Sequence, residues 1–322
     1  MTDKNVPSTS LVETVAGFTA GVISTLCLHP LDLIKTRLQV DRVSPSRLGS
    51  SFRVIREIYR TEGGITAFYR GLTPNLVGNS TSWAVYFLFY GKIKDTIRNT
   101  RTFDKDGLGA SEYFLASGAA VTEMLGSTGL LTAILTNPIW VIKTRMLSTG
   151  SRTPGAYPSF VSGARQILTS EGVAGFYRGL VPALFGVSHG AFQFMAYEQL
   201  KAYRSKSTWA RNAPASATPG GGADRELGNL DLLIISSLSK VFAGCITYPY
   251  QVLRTRLQAY DAALVYRGVW DATRKIWHNE GVGGFYKGLG PNLLRVLPNT
   301  WVTFLVYENT RRYLPKLSVG DG

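Results

Sequence analysis

Cysteine and acidic residues are the scarcities of this 322-residue chain. Its two cysteines, Cys27 and Cys245, are too few for a disulfide framework and lack the spacing of a metal site. Each lies about one helical turn before a proline, where a small buried side chain is the simplest reading. No metal and no resident cofactor are expected. Asp and Glu number 21 against 35 Lys and Arg, a net charge of +14. So large an excess asks for an anionic partner. Nucleic acid does not qualify: the chain has no zinc-finger spacing, no helix-turn-helix signal and no aromatic RNA-binding signature. Also missing are a nucleophile–base pair, a metal cluster and a phosphate-cradling loop, which speaks against an enzyme. The opening MTDKNVPSTS has neither the layout of a secretory signal nor the Arg-rich pattern of a transit peptide. Targeting information is therefore expected in the mature chain.

What the chain does have is apolar length. Hydrophobic residues make up 45% and charged residues 17%. Leu11–Ile34, Leu72–Ile93, Tyr113–Ile142, Leu180–Leu200, Leu230–Leu253 and Leu289–Tyr307 each approach the ~20 residues needed to cross a bilayer. A mean hydropathy of +0.03 is low for six spans. Each span also carries polar residues, as expected if one face lines water and the other meets lipid. The basic residues crowd into the connections: Arg42, Arg47, Arg53, Arg56 and Arg60 in the first, Arg152 and Arg165 in the second, Arg267, Arg274 and Lys275 in the third. That distribution suits a membrane protein facing anionic lipid.

The chain repeats itself three times. Pro30-Leu-Asp-Leu-Ile-Lys-Thr-Arg37 returns as Pro138-Ile-Trp-Val-Ile-Lys-Thr-Arg145 and Pro249-Tyr-Gln-Val-Leu-Arg-Thr-Arg256. A second signature follows each: Glu62-Gly63 before Tyr69-Arg-Gly-Leu72, Glu171-Gly172 before Tyr177-Arg-Gly-Leu180, and Glu280-Gly281 before Tyr286-Lys-Gly-Leu289. Each then reaches a proline: Pro74, Pro182 and Pro291. Two ordered motifs recurring three times in register are not chance. The chain divides into repeat one (1–100), repeat two (101–204), a linker rich in Ala, Pro, Gly and Ser (205–228) and repeat three (229–322). Each repeat reads as an apolar helix kinked at its proline, a basic connection and a second apolar helix. Within the connections, Phe52–Tyr59, Phe160–Leu168 and Val269–Trp277 have helical apolar spacing and are expected to lie flat on the membrane surface. Gly17 and Gly21, four apart, suggest close helix packing.

These signatures resemble those of the mitochondrial carrier family, over nearly the whole chain. The resemblance implies an all-α membrane protein, a threefold pseudosymmetric barrel of six tilted helices that works by alternating access in the mitochondrial inner membrane. Both termini would face the intermembrane space, and cardiolipin would bind at the matrix-side helix ends. A barrel closed within one chain makes a monomer the default.

The resemblance also assigns gates. On the matrix side, Pro30, Pro138 and Pro249 kink the helices and Asp32 pairs with Lys143. Trp140 and Gln251 stand where the family has acids, which leaves Arg254 and Lys35 without a carboxylate opposite. Gln39 and Gln258 match bracing glutamines, with Leu147 the unbraced equivalent. The opposite gate uses Tyr197, Glu198 and Lys201, Tyr307, Glu308 and Arg311, and Tyr90 with Lys94, whose acid is missing. Glu198 would pair with Arg311 and Glu308 with Lys94, leaving Lys201 over. For an isolated residue, snorkelling to the interface explains a helix-end charge equally well; threefold recurrence favours gating.

Charges that break the threefold symmetry mark the cargo site, because no cargo shares that symmetry. Glu123, His189, Lys240 and Arg295 lie inside spans. Glu123 serves equally to neutralise Lys240, and His189 serves equally as a structural histidine. Lys240 and Arg295 predict an anionic cargo with phosphate plausible. Trp83 is the aromatic best placed to stack on a ring. Pro-Ile-Trp140 is similar to carriers of nucleotides and related cofactors. Leu184–Glu198, Ser239–Ala243, Thr247–Arg254, Arg295-Val-Leu-Pro-Asn and Val306–Asn309 resemble the FAD and folate branch. That branch implies transport of FAD, with folate or another nucleotide such as NAD as alternatives; a non-transporting membrane adaptor is the rival of a different class.

Overall fold

The computed structural model describes residues 9–44, 49–100, 110–150, 156–212 and 229–317. Among them are eleven α-helices and one 3-10 helix, and no strand. Repeat one comprises α1 (Thr9–Val40), α2 (Ser50–Thr61), a 3-10 turn at Gly64–Tyr69 and α3 (Leu72–Thr100). Repeat two comprises α4 (Ala110–Ser148), α5 (Phe160–Gly175), α6 (Leu180–Phe185) and α7 (Ser188–Asn212). Repeat three comprises α8 (Asn229–Gln258), α9 (Ala262–Val265), α10 (Val269–Gly284) and α11 (Leu289–Leu317).

At 1.5 Å per residue, the 32 residues of α1 reach about 48 Å, enough to cross a bilayer with tilt. By length and apolar composition, two described helices qualify as spans, Val15–Val40 and Asp231–Gln258. On α3, polar residues such as Asn75, Asn79 and Ser82 interrupt the apolar run, consistent with one watered face. Phe18, Leu135, Phe194, Leu238, Leu294 and Trp301 are exposed. So many large apolar side chains on the outside suit hydrocarbon rather than water.

The first and last helices, α1 and α11, pack side by side and close the ring. In between, α3 lies against α4 and α7 against α8. The long helices that carry the internal prolines, α1, α4 and α8, also meet one another. Their C-terminal halves carry the densest packing, in three small cores rather than one. Leu33, Ile34 and Leu38 pack with Val54 and Ile58 of α2; Val141, Ile142 and Met146 with Ile167 of α5; Leu253 and Leu257 with Ile276 of α10. Each of α2, α5 and α10 thus covers the C-terminal end of the long helix of its own repeat.

Cys27 is exposed rather than buried, and three further expectations change. The segment 180–200 is two helices, because Gly186 donates its N–H to the Ala183 and Pro182 carbonyls (3.0 and 3.2 Å) and tightens the turn. Helix α7 runs to Asn212, taking in the first eight residues assigned to the linker; they contain no Gly or Pro, and Pro214 follows. A Cβ on Gly17 or Gly21 would meet nothing within 4 Å. The packed face of α1 is carried instead by the buried Ala16, Ala20 and Ser24, with Ser24 donating to Asn299 of α11 at 2.7 Å.

Candidate functional site

Where α1, α4 and α8 meet, their motif side chains link the repeats. The Lys35 ammonium donates to Gln251 Oε1 (2.9 Å) and Asn292 Oδ1 (2.8 Å). Gln251 therefore serves as a neutral acceptor in an acid's place. Trp140 takes the other acid's place with its ring face: Lys143 Nζ lies 4.7 Å and the Arg254 guanidinium 5.7 Å from its centroid. A ring quadrupole attracts cations without carrying charge, so this side of the closure needs no carboxylate. The indole N–H donates to Ser82 on α3 (3.3 Å).

Asp32 departs from its expected partner. Its ion pair is with Arg295 of α11, not Lys143. Trp140 draws Lys143 onto its face, and the guanidinium fork reaches the carboxylate from the neighbouring helix. Lys143 stays near enough for its charge to act on Asp32. Behind Asp32 runs a chain of fixed groups. Asn75 Nδ2 donates to the carboxylate at 3.5 Å and to His29 Nδ1 at 3.1 Å, and His29 Nε2 donates to the Arg70 carbonyl at 2.9 Å.

The two glutamines span the repeats. Gln39 donates to Tyr248 Oη (3.2 Å) and accepts from Thr255 (2.8 Å), while Gln258 accepts from Thr144 (3.1 Å) and donates to Asn137 (3.3 Å). Leu147 joins the apolar cluster of repeat one. The residue before each motif proline does a common job with three different side chains. His29 holds the Arg70 carbonyl, Asn137 the Phe176 carbonyl (2.7 Å) and Tyr248 the Lys287 carbonyl (3.0 Å).

Toward the C-terminal ends of α1, α4 and α8 lies a second ring, built of motif residues that have no part in the expected gates. Arg37 pairs with Glu62 (2.9 Å), Arg145 with Glu171 (2.5 Å) and Arg256 with Glu280. Each arginine also donates to a carbonyl of the next repeat: Arg37 to Thr149 (2.8 Å), Arg145 to Gln258 (3.4 Å) and Arg256 to Gln39 (2.8 Å). Arg178 and Lys287 add a second cation to Glu171 and Glu280 (2.8 and 2.5 Å). Burial alone would raise these two carboxyls; the bonds and charges of Arg145 and Arg178, and of Arg256 and Lys287, hold them below the ordinary glutamate value. The signal was in the sequence, since basic and acidic partners recur together three times. Outside the motifs, Arg42 makes a two-pronged pair with Asp261 (2.7 and 2.8 Å), tying repeat one to repeat three.

Above the closure lies a hollow in two continuous parts. The lower, about 1170 Å³, is floored by Asp32, Lys35, Lys143 and Arg254. The upper, about 690 Å³, is lined by Lys240, Gln193, Asn292 and Asn299. Arg295, His189 and Gln251 border both. Among the described lining residues there are five Lys and Arg and one carboxylate. A group of negative charge entering this space finds complementary charge in reach. His189 Nδ1 lies 2.8 Å from Thr247 Oγ1, so the structural reading of this histidine has a partner and the ring still borders the hollow. Trp83 is 61% exposed, edge-on to Tyr86 at 6.0 Å, and lines neither part. Asn292, Asn299 and Gln193 were missed, because neutral amides carry no sequence signal on a helix. Tyr197 is half-buried, and Glu198 and Lys201 are exposed on α7. The side chains of Glu123, Tyr90, Lys94, Tyr307, Glu308 and Arg311 lie outside the described residues.

A separate cleft of about 1040 Å³ opens between repeats two and three, bordered by Arg178, Gly179, Leu180, Arg267, Gly268 and Val269.

A family model described as mitochondrial carrier protein matches residues 7–101, 117–208 and 225–318. The chain is 39% identical over 317 residues to the mitochondrial FAD carrier protein of Saccharomyces cerevisiae, covering 94% of this chain and 96% of that one. It is 39% identical over 309 residues to the mitochondrial nicotinamide adenine dinucleotide transporter 2 of Arabidopsis thaliana, covering 92% and 78%. To the chloroplastic folate transporter 1 of the same plant it is 35% identical over 306 residues, covering 93% and 94%.

Proposed function

Since this chain belongs to the mitochondrial carrier family, we propose that it carries FAD across the mitochondrial inner membrane by alternating access. The observation that carries the reading is the hollow itself: five basic side chains and one carboxylate above a closed end. The pyrophosphate of FAD suits Arg295 and Lys240, whose charges also break the threefold symmetry of the barrel. The relative named as a FAD carrier aligns along almost its full length.

Alternating access needs a closure that opens in every cycle. Partly wet pairs worth about 1 kcal/mol or less meet that need, whereas a dry ion pair left half-broken costs several kcal/mol. Lys35 on Gln251 and two cations on Trp140 are links of the weaker kind. Their presence favours transport over the adaptor reading. In the membrane, both termini face the intermembrane space and the basic connections face the matrix. One chain closes the barrel, so the working unit is a monomer. The cleft between repeats two and three joins Arg178 and Arg267 to Leu180 and Val269. That mixture fits an anionic phospholipid such as cardiolipin.

Folate is the second reading, since its carboxylates suit the same cations and a folate transporter is among the relatives; NAD is supported in the same way. Purified protein in liposomes loaded with FAD is expected to take up labelled FAD, with unlabelled FAD the strongest competitor. Uptake of labelled folate or NAD, with FAD failing to compete, reassigns the cargo.

A further inference from the structure

We propose that Asp32 is a resident counter-anion that competes with the cargo's phosphates for Arg295, and thereby sets the affinity of the hollow for anions. The inference rests on the FAD reading for its choice of ligand. Asp32 is the one carboxylate among the described residues that line the two parts of the hollow. Of the five basic side chains there, Lys35 is held by the amide oxygens of Gln251 and Asn292, Lys143 and Arg254 lie over Trp140, and Lys240 borders the upper part alone. Arg295 holds the carboxylate. It is also the basic residue that borders both the upper and the lower part.

The two partners are unequally free. Asp32 is short, 8% exposed, and backed by the chain through Asn75 and His29 to the Arg70 carbonyl. Arg295 is 35% exposed and stands on a long stem. An arriving phosphate therefore moves the arginine and leaves the carboxylate in place. Carboxylate and phosphate offer guanidinium pairs of similar strength, so the exchange is close to balanced. Asp32 is not abandoned when Arg295 leaves, because the Lys143 charge still acts on it. When the cargo departs, Asp32 takes Arg295 back. The empty carrier holds its own anion, which limits how tightly a cargo is kept.

A residue that merely joined helices would not affect charged and neutral ligands differently, and the test uses that. Binding of FAD and of riboflavin, which lacks the phosphates, is measured on purified wild type and Asp32→Asn. The expected result is a half-saturating FAD concentration lowered about fivefold, the equivalent of roughly 1 kcal/mol, with riboflavin unmoved. Unchanged or weaker FAD binding in Asp32→Asn overturns the proposal, and so does an equal gain for riboflavin. If wild type binds no FAD, the FAD reading fails by itself, and inorganic pyrophosphate replaces FAD as the probe of the same comparison. An Asp32→Asn protein without a cooperative melt is replaced by Asp32→Ser, judged by the same outcomes.

Discussion

Trp140 shows how one side chain can replace an ion pair without copying it. A carboxylate there would bind Arg254 by charge; the indole binds Arg254 and Lys143 together by its ring face, at about 0.5–2 kcal/mol per contact. Trp140→Glu restores the charge. It is expected to raise the melting temperature of the purified protein and to lower the maximal transport rate in liposomes, because the closed end opens less readily. A faster variant would contradict the weak-link account. The buried arginines behave differently. Arg145 is 1% exposed and its carboxylate comes from Glu171. Glu171→Gln strands a buried charge and is expected to destabilise the fold by about 3–5 kcal/mol, visible as a large drop in melting temperature. The same ring predicts a pH dependence. The Glu171 and Glu280 carboxyls sit below their ordinary 4.5 in the fold, so their contribution is complete above pH 4.5 and is lost as pH falls through the lowered values. Melting temperature is expected to decline on acidification below pH 4.5, less so in Glu171→Gln; an equal decline in both would remove Glu171 from the explanation.

Helices and their joints were the most legible part of this sequence. The prolines, the acidic-Gly pairs and the aromatic-basic-Gly triplets recur three times: the prolines lie inside α1, α4 and α8, the acidic-Gly pairs at helix breaks and the triplets at helix starts. Gly172 and Gly281 break α5 and α10 at φ 67° and 63°. Repeat one has its break at Gly63 (φ 113°), and its one extra residue goes into the 3-10 turn at Gly64–Tyr69. Rotation about a helix axis was not legible. Gly17 and Gly21 suggested packing, yet the contact face lies one residue over, at Ala16 and Ala20. For the same reason Asp32 finds Arg295 rather than Lys143: spacing along the chain cannot tell which neighbouring helix offers the nearer cation. Two glycines, both at positive φ, separate strain from contact. A Cβ on Gly288 (φ +82°) would lie 2.9 Å from the Lys35 carbonyl oxygen and 3.0 Å from Tyr248 Oη, pushing α11 off α1 and α8; on Gly172 (φ +67°) it would meet nothing within 4 Å. Gly172→Ala is expected to cost about 1–3 kcal/mol of backbone strain, and Gly288→Ala clearly more in thermal melts. Equal losses would contradict the close approach.

On the scale of the whole molecule, the chain puts its tight packing, its buried arginine–glutamate ring and its cross-repeat bonds at one end. The hollow rests on that end, floored with positive charge. Composition foretold the charge but not its placement, since most of the basic residues lie in the connections. The central claim is that this hollow binds an anion and opens alternately to the two sides of a membrane. Uptake of labelled FAD into FAD-loaded liposomes, measured for wild type and Arg295→Ala side by side, tests it most directly. The account predicts saturable uptake by wild type and its loss in the variant. Wild-type vesicles that never take up labelled FAD, folate or NAD against a matching internal pool, or a variant that transports as well as wild type, would contradict it.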